Sequence, residues 1–153
     1  AINYLSKSKK IFDLIIIKQT IHFFEEKDLL IFLNLIKRKL KKEGKIFIFM
    51  LNKKNNEIPT FKHMELQLNK SLEKDKKIIQ KIKKNFKKYE SNYFKFAVSI
   101  NKSKYIKMIK NRYISCLLNI SEKNIKNGIK EISKKYKKKI KFNDILNCIS
   151  YKN

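Results

Sequence analysis

Two stretches early in the chain are apolar without interruption: Leu14-Ile15-Ile16-Ile17, and Ile46 through Leu51. Neither alternates with polar residues, so each predicts a strand buried on both faces, as at the centre of a mostly parallel sheet. Between them, Glu25–Lys42 predicts a helix, with Leu29, Leu33, Ile36 and Leu40 at helical spacing. Acidic Glu25, Glu26 and Asp28 open that helix and the basic run Lys37–Lys42 closes it, an order that complements the helix dipole. Gly44 is the expected C-terminal stop. A strand at Ile11–Ile17, a helix and a strand at Lys45–Leu51 together predict one right-handed crossover unit with parallel strands.

Ala1–Lys10 is polar and reads as a loop or helix end. Asn52–Phe61 is a loop carrying the only proline, Pro59. Glu65–Tyr89 predicts one or two helices, with an apolar stripe through Leu68, Leu72, Ile79, Ile82, Phe86 and Tyr89 and lysines on the solvated face. Tyr93–Ile100 alternates, and predicts a strand near a sheet edge whose buried face holds Phe94, Phe96, Val98 and Ile100. Lys102–Leu118 reads as a helix with Ile106, Ile109, Tyr113, Cys116 and Leu117 inward. Ser121 is the N-cap of the next helix, with Ile120 and Ile125 at the hydrophobic-staple positions. Lys139–Tyr151 is a closing strand, interrupted near Asn143-Asp144. No repeat and no linker divides the chain, so the expectation is one α/β domain with one sheet and four visible strands.

Composition adds a question about partners. Lysine and arginine number 39 against 13 acidic residues, a net charge of +26. Such a charge suits a nucleic-acid or anionic-surface binder. An AT-rich coding sequence is the favoured account of it: Lys, Asn, Ile, Phe and Tyr abound together, while only Arg38 and Arg112 are arginines. The stretch Lys84–Phe96 interleaves aromatic and basic residues as a single-strand binder needs, but core packing of Phe86, Tyr89, Phe94 and Phe96 explains most of it. Cys116 and Cys148 have no CxxC spacing and no neighbouring histidine, and read as small apolar fillers rather than zinc ligands. No apolar run is long enough to cross a bilayer, so the expected setting is cytoplasmic.

The first apolar run ends in Lys18-Gln19-Thr20 and then Ile21-His22-Phe23-Phe24. Ligands of open parallel sheets gather outside the carboxyl ends of strands, which makes this stretch the best candidate site. The passage FDLIIIKQTIHFF, followed by LKKEGKIFIFML, resembles the second half of a class I S-adenosylmethionine-dependent methyltransferase. The stretches Tyr105–Ile132 and KIKFNDILNCI are similar to that family's C-terminal region and final strand. The resemblance implies a partial Rossmann-like fold, strands four to seven with their helices, over the whole of 1–153. The glycine-rich cofactor loop of the family has no counterpart, since Gly44 and Gly128 are the only glycines. It implies S-adenosyl-L-methionine as cofactor, contacted at Ala1, Ile2, Lys18, Gln19 and Thr20, and a small-molecule methyl acceptor. A fragment of this kind binds the cofactor poorly and is inactive alone.

Within that resemblance His22 is the candidate catalytic residue, a proton acceptor during methyl transfer; the alternative is a histidine packed against Phe23 and Phe24 and bonded to backbone. His63 and Arg112 are the candidate substrate-binding residues. For His63 the alternative is an exposed loop position. For Arg112 it is a structural ion pair with an acidic residue such as Glu122. No metal site is expected. The alternative functions are a non-catalytic basic module that binds nucleic acid, and a methyltransferase acting on nucleic acid.

Overall fold

A computed structural model describes residues 1–52 and 56–153. The loop expected over Asn52–Phe61 includes residues 53–55, which lie outside the described residues. In chain order come α1 (Ile2–Lys7), β1 (Phe12–Lys18), a single 3-10 turn (Ile21–Phe23), α2 (Glu26–Arg38), β2 (Leu40–Leu51), α3 (Lys62–Asn85) and β3 (Glu90–Asn101). There follow α4 (Lys102–Lys110), a second 3-10 turn (Ser115–Leu117), α5 (Glu122–Lys135) and β4 (Lys139–Lys152). The strands form one mixed sheet in the order β1-β2-β4-β3, an α/β fold. β1 runs parallel to β2, as the crossover required, and β4 runs antiparallel to β2. Among the described residues no helix is long and apolar enough to cross a membrane.

The position of β1 corrects one expectation. It lies at the edge of the sheet rather than its centre, paired among the described residues with β2 alone. Ile17 is buried, while Leu14 is 48% and Ile16 60% exposed. An apolar run reports what a strand can bury, and the neighbours that would bury its second face are a matter of tertiary pairing.

Elsewhere the boundaries shift for local reasons. α2 ends at Arg38 and the chain enters β2 at Leu40, so Gly44 is no helix stop: it is buried inside β2. The left-handed turn falls on Glu43 instead, at φ 64°. The β1–β2 register slips between Phe12 and Leu14, where β2 carries the extra residues. The Glu65–Tyr89 segment is a single helix, but Tyr89 falls beyond its end and is exposed. The Lys102–Leu118 helix stops at Lys110. β4 runs on through Asn143-Asp144 without a break; there the Glu57 carboxylate accepts from both the backbone N–H and the side-chain amide of Asn143, at 3.0 and 2.7 Å. The buried face expected for β3 is the larger error: Phe94 is 52% and Phe96 59% exposed.

Two compact units share the chain. The first comprises Ala1–Leu51, Asp75–Phe94 and Leu146–Asn153. Its core joins Ile46, Ile48 and Met50 of β2 to Leu29, Leu33 and Ile36 of α2, with Ile82 of α3 and Phe86 just past its end. The second comprises Asn52–Lys74 and Lys95–Ile145. There Tyr105, Ile109, Ile125 and Ile132 are buried. The Tyr105 hydroxyl donates to the Pro59 carbonyl at 2.6 Å. Ser121 caps α5 as its sequence predicts, its hydroxyl accepting from the Asn124 N–H, with Ile120 and Ile125 buried on either side.

Candidate functional site

At the carboxyl end of β1 the backbone turns sharply. Gln19 takes a left-handed conformation, φ 52°, and its N–H donates to the Phe49 carbonyl at 2.9 Å. A non-glycine residue held there carries strain that the surrounding structure must offset, as is common at functional sites. Thr20 then opens the 3-10 turn that presents His22.

His22 is half-buried, its ring 4.2 Å from that of Phe23. Its Nε2 is buried with no hydrogen-bond partner among the described residues. The packing against Phe23 agrees with the structural alternative, whereas the expected backbone bond is not made at that nitrogen. A buried nitrogen left unpaired costs free energy, and its retention calls for a reason.

Asp75 is the residue that sequence reasoning missed. It is only 7% exposed, and its charge acts on His22. Burial pushes its carboxyl above the ordinary aspartate range, and the positive charge of His22 draws it partly back. The signal was present in the sequence. Asp75 falls between Leu72 and Ile79 on the stripe Leu68-Leu72-Asp75-Ile79-Ile82-Phe86, at a position where helical spacing calls for an apolar side chain.

Beside the turn an apolar groove of 510 Å³ runs along the free side of β1, and Ala1 and Thr20 both line it with Leu14, Ile16 and Phe23. Thr20 and Tyr4 supply its polar side chains, and no carboxylate lines it among the described residues. Of the other expected cofactor contacts, Ile2 packs against the core and exposed Lys18 pairs with Phe49 across the strands. This groove suits a flat apolar ring. It offers no acid for a ribose diol and no glycine-rich turn, so the residues present do not by themselves complete a site for S-adenosylmethionine.

The candidate substrate residues belong to the second unit. His63 is exposed on the first turn of α3, in a helix rather than a loop. Arg112 is not within a helix but follows α4 in a left-handed conformation, φ 52°. Its Nη1 donates to the carbonyls of Leu117, Leu118 and Ile120, and its Nη2 to Glu122 at 3.0 Å. The guanidinium therefore staples the second 3-10 turn to the start of α5, the structural role weighed above. Arg112→Lys is expected to cost about 1–2 kcal/mol, because an ammonium cannot span carbonyls and carboxylate in one plane. Urea unfolding measures this; unchanged stability would return Arg112 to the list of ligand contacts.

Burial pushes the Cys116 thiol up to about 11 and raises that of Cys148, which disfavours the reactive thiolate at both. In comparisons with known proteins, the chain matches no family model and no curated protein.

Proposed function

We propose that the chain is the C-terminal part of a class I S-adenosylmethionine-dependent methyltransferase domain, with a small-molecule acceptor beside His22. The observation that carries this reading is the strained exit of β1. A parallel crossover ends its first strand in left-handed Gln19 and a half-buried histidine, at the side of the sheet where such folds bind ligands. The free edge of β1 supports the same reading. In a doubly wound sheet strand four lies between strands one and five, so a fourth strand without its first would show an open, apolar flank of this kind. His22 would take the proton that a hydroxyl or amine acceptor sheds, once its buried Nε2, unpartnered among the described residues, is uncovered.

The experiment is calorimetry with S-adenosylmethionine on this chain and on a longer one that supplies the glycine-rich loop and the strands before β1. Binding is expected for the longer chain alone, and His22→Ala in it is expected to lower kcat by roughly 10²-fold or more while leaving cofactor affinity unchanged. Absence of binding by both chains would overturn the reading.

A second reading, a module that binds nucleic acid, is favoured by one specific observation: the aromatic residues of β3 that were expected inside are exposed.

A further inference from the structure

In the first unit one face of the sheet is covered and the other is partly open, and the strand register assigns each residue to its side. Ile46, Ile48 and Met50 of β2 are buried together with Ile149 of β4. Phe47 and Phe49 alternate with them, point the other way and stay half-exposed. Across from these rings, on β4, stand only Ser150 and Cys148. Phe94 of β3 completes the row, meeting Phe49 edge-on with centroids 6.0 Å apart, while Phe47 and Phe49 lie 6.4 Å apart.

Charge surrounds the row. Lys45 and Lys152 are cross-strand partners on the same side of the sheet, both exposed. Like charges placed directly opposite repel, an arrangement that an anion between them relieves. Glu43 answers Lys152, but no carboxylate pairs with Lys45 among the described residues. Both lysines line a groove of 610 Å³ with Lys88, Tyr89 and Phe47, while Glu43 and Glu90 line it too.

We propose that this partly open face binds single-stranded nucleic acid, with bases stacked on Phe47, Phe49 and Phe94 and phosphates held by Lys45, Lys88 and Lys152. The net charge of +26 selects a polyanion as occupant and opposes a second copy of the same chain. Exposed rings at this spacing select a polyanion with flat apolar faces, which a single strand offers and a duplex hides. The proposal goes beyond the methyltransferase reading and does not depend on it: Phe47 stands beside Ile16 of β1 in the register, but Phe47, Phe49 and Phe94 do not line the apolar groove of β1.

The test is fluorescence anisotropy with fluorescein-labelled oligodeoxythymidine of about 15 nucleotides, against a duplex of equal length. The single strand is expected to bind at least tenfold more tightly than the duplex. Phe94→Ala is expected to weaken single-strand binding about tenfold, leaving the slope of affinity against salt unchanged because no phosphate contact is lost. Phe94→Tyr should restore it. Because the chain has no tryptophan, Phe94→Trp supplies a unique fluorophore, whose emission oligodeoxythymidine should quench and inorganic polyphosphate should not. Equal affinity for duplex and single strand, or an unchanged Phe94→Ala with a native far-ultraviolet spectrum, would reduce the surface to non-specific charge and overturn the proposal. So would loss of a dimer in sedimentation of Phe94→Ala with binding intact, which would give the face to self-association.

Discussion

Gly128→Ala is expected to destabilise the chain by about 2–3 kcal/mol, the reverse of what helix propensity predicts. Gly128 lies inside α5, where alanine is ordinarily better by about 1 kcal/mol. Here a Cβ would stand 2.3 Å from Cγ and Cδ2 of Phe61. That ring cannot swing aside, because it is 2% exposed and its own carbonyl accepts the first backbone bond of α3 from Glu65. Either the ring leaves its rotamer or α5 moves back from it, and both are overpacking costs. Urea denaturation measures the loss. Combining Gly128→Ala with Phe61→Ala makes the argument sharper. The ring is the obstacle, so the double variant should lose less than the sum of the singles, by on the order of 1–2 kcal/mol. A Gly128→Ala chain as stable as the parent would mean that Phe61 does not pack on this helix face.

Asp75→Asn should act in the opposite direction, stabilising the chain at neutral pH by about 1–2 kcal/mol. The sign follows from the raised titration of Asp75. Its folded value lies above its unfolded one, so folding favours the protonated form. The resulting stability is fully present below about pH 4, the ordinary aspartate range, and is lost as pH rises through the folded value. At pH 7 the buried carboxylate is therefore a cost that the asparagine removes, and near pH 3 the advantage should vanish. Melting temperatures of the two chains across pH 3–7 check this. His22 supplies the opposing positive charge, so His22→Ala should move the Asp75 carboxyl higher still, read by carbon NMR. A gap between the chains that does not change with pH would show that Asp75 titrates as an ordinary exposed acid. If Asp75→Asn stabilises the chain as expected, packing alone does not account for an acid on this core stripe.

What could be read from the chain follows the range of the forces involved. α2, α3 and α5 were legible because their signals lie within one or two turns: apolar residues three and four apart, acids before lysines, and Ser121 between Ile120 and Ile125. The crossover from β1 to β2 was legible because parallel strands so close in sequence have one favoured connection. The end of α2 was misplaced by a glycine. Gly44 suggested a stop, but Leu40 is buried as well in a strand as in a helix, and pairing with Phe12 draws it into β2.

Strand burial was not legible, and the errors at β1 and β3 share one cause. Hydrophobicity along a strand says that its faces can be buried. Whether they are depends on neighbours distant in sequence, and here β1 and β3 occupy the two edges of the sheet. Exposed Phe94 and the apolar groove beside Leu14 and Ile16 both arise in this way. The site divides along the same line. His22 was found from local order, as the polar exit of an apolar run. The link between His22 and Asp75 depends on how α3 packs in the first unit, and the closure of Arg112 on Leu117, Ile120 and Glu122 depends on a turn that its helical-looking sequence concealed. Local periodicity and capping chemistry therefore set the elements of this protein, because those energies act between residues a few positions apart. Which surfaces stay bare, and which charges meet, was set by contacts across tens of residues, which no local pattern encodes.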